Sequence, residues 1–114
     1  MRLFVYGTLM RGERGHELLG DSPFVTQATT APEFTLVHLG EYPGLRPGGT
    51  SAIVGEIYEV DHATLAELDA YEEVPEVYVR VTHEIAGEET VLYLLHPHIE
   101  PNAPVIPSGD WRKR

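Results

Sequence analysis

The chain has 114 residues, no cysteine, and 18 acidic against 8 Lys and Arg side chains, for a formal charge of −10. That length suits one hydrophobic core, expected over residues 1–114 with a Pro-rich tail from 97 to 114 packed on it. The missing cysteines exclude disulfides, thiolate metal sites and a cysteine nucleophile, and the acidic balance opposes nucleic acid and anionic membranes as partners.

The 42% hydrophobic content is that of a globular protein. No apolar run reaches the length of a membrane span. The N-terminus lacks a basic stretch followed by a long apolar region, so no secretory signal is expected; with the missing cysteines this fits a cytoplasmic protein.

In chain order, residues 3–6 form a short apolar run that reads as a strand buried on both faces. It stops at Gly7, a residue free to take conformations others avoid. A strand ending in such a turn gathers backbone N–H groups that can cradle a carboxylate or phosphate, although most Gly turns bind nothing. Residues 16–19 fit a helical turn or two ending at Gly20. Residues 24–30 and 34–39 lean to strand on either side of Pro32, which cannot donate to a ladder. Residues 40–50 hold Gly40, Pro43, Gly44, Pro47, Gly48 and Gly49 and read as a loop at the surface or at the mouth of a cavity, with Tyr42 placed to gate it.

A strand over 53–60 has apolar residues on both faces. Asp61 then suits the N-cap of a helix over 63–71. Residues 77–84 alternate, with Val77, Val79 and Val81 opposite Tyr78, Arg80, Thr82 and Glu84. Ala86-Gly87 turns the chain into a partner strand over 90–96. Pro97, Pro101, Pro104 and Pro107 oppose regular structure beyond it, and Trp111 is the expected anchor of this tail. About six strands and one clear helix make an α+β chain. A small, mixed and mostly antiparallel β-barrel with one main helix alongside would remove the sheet edges.

Leu65, Leu68 and Glu72 are spaced i, i+3, i+7 and share one stripe of the helix. If the leucines face the core, Glu72 is the acid sent inward. Burial and the negative helix end would both raise its proton affinity, as a general acid or base near neutral pH requires. Spacing alone leaves open that Glu72 reaches water or pairs with Arg80. Other signals are thin. The Gly7 to Gly12 spacing lacks the Lys-Ser/Thr of a phosphate loop, and His96 with His98 does not complete a metal site.

Tyr6-Gly7-Thr8-Leu9, then Leu68-Asp69-Ala70-Tyr71-Glu72 and Tyr78-Val79-Arg80, resemble the γ-glutamylcyclotransferase family. So do Leu39-Gly40-Glu41-Tyr42-Pro43-Gly44, Gly55-Glu56-Ile57-Tyr58-Glu59-Val60-Asp61 and Ser108-Gly109-Asp110-Trp111, which are similar to the small bacterial members. The opening through Met10-Arg11-Gly12 is also similar to the γ-glutamylamine cyclotransferase branch. The resemblance covers nearly the whole chain in order. It implies a compact mixed β-barrel flanked by helices, and cleavage of a γ-glutamyl amide by attack of its own α-amine, releasing 5-oxoproline and a free amine.

By the same resemblance Tyr6, Gly7, Thr8 and Leu9 hold the glutamyl head group and Glu72 is the catalytic acid/base. Neither a metal nor a cofactor is needed. From their alternation away from Val77 and Val79, Tyr78 and Arg80 either line the cavity or support Glu72, the supporting role being favoured, and Tyr42 in the Gly/Pro-rich loop is a further supporting residue. The partner is a small γ-glutamyl molecule; the motifs specify neither the leaving amine nor an oligomeric state. One departure stands out, since Glu73 occupies a place where many relatives have Gly; it either raises the Glu72 pKa further, faces solvent, or is itself the base. The alternative function is a non-catalytic protein that holds a glutamyl-like ligand in the same cavity.

Overall fold

The computed structural model describes residues 1–114. Seven strands and one α-helix follow in the order β1 (Arg2–Val5), β2 (Phe24–Thr29), β3 (Phe34–His38), β4 (Pro43–Pro47), β5 (Val54–Glu59), α1 (His62–Tyr71), β6 (Tyr78–Ile85) and β7 (Glu88–Leu95), with 3-10 turns at His16–Leu19 and Trp111–Lys113. Five strands form one sheet in the order β2-β5-β1-β7-β6, and β3 and β4 pair separately. β1 lies in the middle, antiparallel to β5 and parallel to β7. Its central position explains its uninterrupted apolar character: Leu3, Phe4 and Val5 are all buried.

The expected α+β class with one main helix holds, but a closed barrel does not form. β2 and β6 remain as edges of the larger sheet. The β3–β4 ribbon meets the rest of the backbone only through isolated bridges, Phe34 to Ser51 and Val37 to Val105. Pro43 and Pro47, at the two ends of β4, offer no N–H to extend a ladder. β4 also corrects the reading of residues 40–50 as a loop. The glycine there marks close packing rather than looseness, because a Cβ on Gly44 would lie 2.7 Å from Leu95 Cδ2.

Helix α1 starts where its cap predicts, with the Thr64 N–H donating to Asp61 Oδ1 at 2.7 Å. Leu65 and Leu68 are its buried residues. The tail is irregular apart from one 3-10 turn, yet it packs closely: Ile106 and Trp111 are buried in the core, and the His38 and Ile106 N–H groups donate to Pro104 and Leu36 carbonyls at 2.7 and 2.8 Å. No helix is long and apolar enough to cross a membrane.

Candidate active site

β1 runs directly into the turn at residues 7–9, and that turn forms one wall of a cavity of about 220 Å³. All three carbonyls of the turn are engaged within the chain. Gly7 O accepts from the Met10 N–H at 3.1 Å and Thr8 O from the Gly15 N–H at 2.9 Å. Leu9 O lies 2.9 Å from His16 Nδ1, which must carry the proton because a carbonyl only accepts. The N–H groups of Gly7, Thr8 and Leu9 donate to no other group of the chain. The turn thus keeps three donors uncommitted in a cavity wall.

The far end of the turn is fastened by Glu56, a buried carboxylate on β5. Its Oε1 accepts from the Arg11 N–H at 2.8 Å and the Tyr58 hydroxyl at 2.9 Å. Its Oε2 faces the guanidinium groups of Arg11 and Arg112 at 3.8 and 3.7 Å. Arg112 also donates to the Arg11 carbonyl. The sequence reading missed this anchor; the signal was an acid inside a strand covered on both faces.

Gly7 owes its place to packing rather than to an unusual dihedral angle, which corrects the reason given from sequence. It is absent from the positive-φ glycines, and a Cβ there would fall 2.5 Å from Pro43 Cγ and 2.6 Å from Pro43 Cδ. Gly7→Ala is expected to push Pro43 off the turn, lowering stability by about 1–3 kcal/mol and raising KM. A thermal melt with steady-state kinetics checks both, and unchanged values for both would show that Pro43 yields freely.

Glu72 caps α1 and lines the opposite side of the cavity. It is half-buried. Burial pushes its carboxyl up from 4.5 to about 7. No side chain or backbone group of the chain donates to this carboxylate, and the hydroxyls around it are occupied. Tyr6 donates to the Tyr93 carbonyl at 2.7 Å, Tyr78 to the Pro43 carbonyl at 2.7 Å, and Tyr93 to Asp69 Oδ1 at 2.8 Å. Burial, with smaller contributions from Glu72, holds all three phenols above their usual range, so they stay neutral.

The cavity therefore brings together Tyr6, Gly7, Thr8, Leu9, Tyr42, Glu72 and Tyr78. Arg80 is apart from them. It pairs with Asp69 at 3.5 Å and so stands behind Tyr93, not beside Glu72. Tyr93 itself was missed from sequence. Its signal is hairpin register, since Tyr93 lies opposite Arg80. Glu73 is exposed at the cavity rim and is not among the causes of the Glu72 shift. Of the three readings offered for Glu73, a pKa-raising neighbour finds no support. The rings of His96 and His98 lie with centroids 3.9 Å apart, tilted 50° to each other, but no group of three metal-ligating side chains forms.

The raised carboxyl carries a stability consequence. Between about pH 4.5 and 7 the folded chain holds a proton on Glu72 that the unfolded chain has released. The associated stability is present in full below pH 4.5 and is lost as pH rises through 7. For this partly exposed group the loss is on the order of 2–3 kcal/mol. Glu72→Gln is expected to lack it and to be more stable than wild type at pH 8. Denaturant titrations at pH 5 and pH 8 measure the difference, and parallel pH dependences in the two proteins would contradict it.

The family model for gamma-glutamyl cyclotransferase, AIG2-like, matches residues 3–113. The chain belongs to this family. Among relatives, the gamma-glutamylcyclotransferase family protein YtfP of Escherichia coli (strain K12) is 34% identical, covering 100% of this chain and 98% of its own. The gamma-glutamylaminecyclotransferase of Mus musculus is 38% identical over 73% of this chain and 62% of its own length. The crystal structure of a Mus musculus AIG2-like protein superposes with a TM-score of 0.83 at 30% identity, over 96% of this chain and 87% of the other. The solution structure of E. coli ytfP gives 0.77 at 32% identity, with both chains fully covered. The resemblance drawn from sequence is met: this is an enzyme of the gamma-glutamylcyclotransferase family.

Proposed function

We propose that this enzyme cleaves a γ-glutamyl amide by cyclisation, releasing 5-oxoproline and a free amine. The observation that carries the reading is a single cavity holding a half-buried carboxylate without a hydrogen-bond donor, Glu72, and three uncommitted backbone N–H groups at residues 7–9. The N–H groups bind the α-carboxylate of the glutamyl head. Glu72 accepts a proton from the α-ammonium, whose pKa near 8 keeps it protonated at neutral pH. The freed nitrogen attacks the γ-carbonyl carbon and closes a five-membered ring. Glu72 then returns the proton to the amide nitrogen as the C–N bond breaks, and the second proton of the ring nitrogen passes to the departing amine, which leaves as an ammonium.

The nucleophile is tethered to its target, so holding the reactive rotamer supplies much of the acceleration. Tyr6, Tyr78 and Tyr93 shape the cavity around that rotamer; their hydroxyls already donate to the protein. Arg80 supports Tyr93 through Asp69, and Tyr42 stands at the mouth. The test is release of 5-oxoproline from γ-glutamyl amines and dipeptides. A compound that binds but survives intact would point instead to a binding protein.

A further inference from the structure

We infer that the free edge of β6 pairs with β6 of a second copy of this chain, antiparallel about a two-fold axis at Thr82, so that Arg80 of each copy faces Glu84 of the other. The inference is independent of the reaction proposed above. β6 is an outer strand of the five-stranded sheet. Its register with β7 runs without a break from Tyr78 opposite Leu95 to Ile85 opposite Glu88. One step earlier, the His96 N–H donates to the Val77 carbonyl at 2.8 Å. That bond places the hydrogen-bonded pairs of this antiparallel ladder at Val77 and every second residue after it. The N–H and C=O groups of Arg80, Thr82 and Glu84 therefore point away from β7. No backbone group elsewhere in the chain bonds to them.

The two edges of the sheet differ. β2, at the other edge, shifts register against β5 between Phe24 and Thr26, and such a bulge is a usual device against edge pairing. β6 has eight residues with no proline, no lysine and no register shift, so its edge is a template for another strand. The charge pattern then selects the partner and the register. A two-fold at Thr82 sets outward groups against outward groups, with threonine opposite threonine and Arg80 opposite Glu84 on both sides of the axis. A centre at Arg80 or at Glu84 would oppose like charges, and a centre at Val81 or His83 would leave both charges without a counter-charge. All three outward residues are exposed. Glu84 takes part in no ion pair of the chain. Arg80 uses one nitrogen for Asp69, and its guanidinium keeps further donors for a second carboxylate. On the other face the same register sets the half-buried Val81 against His83 of the second copy.

The test is sedimentation equilibrium of wild type and Glu84→Arg, from about 5 to about 500 µM protein in about 0.15 M salt, which screens the repulsion of two acidic chains beyond about 8 Å. Wild type is expected to reach twice the mass of one chain. Glu84→Arg turns both charge pairs repulsive and is expected to weaken the dimer by roughly 10- to 100-fold. Amide hydrogen exchange of the wild type gives a second readout that needs no variant. The Arg80, Thr82 and Glu84 amides should be protected at the high concentration and lose that protection at the low one. Those of Val79, Val81 and His83, bonded to β7, should stay protected at both. A wild type that keeps the mass of one chain throughout overturns the inference. So does a dimer that Glu84→Arg leaves as tight, or one in which the three outward amides exchange as fast as in the monomer, because its interface then lies elsewhere.

Discussion

Glu72→Gln is expected to slow 5-oxoproline release by roughly two to four orders of magnitude, the range a positioned general acid/base contributes. Glutamine keeps the shape of the side chain. It breaks no hydrogen bond, because the carboxylate accepts none from the chain. It cannot take the proton from the substrate ammonium. The three N–H groups proposed to bind the head remain, so the loss should fall on kcat with KM little changed. Wild-type kcat/KM should follow a bell in pH. The rising limb reports Glu72 ionising at about 7, and the falling limb reports the substrate ammonium, near 8. The variant's residual rate should lack the limb at about 7 and rise instead with the free-amine fraction of the substrate, near pH 8. Its higher stability at pH 8 would show that the loss is chemical and not structural. Activity within a few-fold of wild type would move the base elsewhere, with Glu73 the next residue to test.

Trp111→Ala is expected to lower stability by about 3–5 kcal/mol, the usual result of emptying a large buried aromatic site. Trp111 is 1% exposed. Its ring lies 5.3 Å from that of His38 on β3, and the Arg114 guanidinium sits 3.8 Å above it. Against a total of roughly 5–15 kcal/mol the loss is severe, and the melting temperature should fall on the order of 15–30 °C. The next residue, Arg112, reaches Glu56 and the Arg11 carbonyl, so the tail also braces the outer end of the turn at residues 7–9. KM should therefore rise even well below the melting temperature. A melt displaced by only a few degrees would show that the tail is an accessory layer and that the core closes without it.

Local pattern reached far in this chain. Helix α1, its Asp61 cap and the inward turn of Glu72 follow from a period of about 3.6 residues and one side-chain hydrogen bond three residues long. β6 and β7 follow from alternation and the Ala86-Gly87 turn. The Tyr6-Gly7-Thr8-Leu9 and Glu72 motifs were legible because each lies within a few consecutive residues. Pattern went astray where glycine and proline were read as looseness, since the bulk of Leu95 against Gly44 and of Pro43 against Gly7 belongs to distant segments.

What the sequence by itself determined was therefore the elements other than β4, the candidate acid that faces inward and the family. Only the tertiary structure decided that the sheet stays open, that Arg80 serves Asp69 instead of Glu72, that Tyr93 joins the cavity, and that Glu56 and Arg112 fasten the turn. It also decided which backbone groups of residues 7–9 remain free. The division has one physical cause. Helical and strand periodicity are set by neighbours a few residues apart. Pairing of charges, occupancy of hydroxyls and the orientation of peptide groups in a turn depend on atoms brought together from opposite ends of the chain, as Arg112 and Arg11 are.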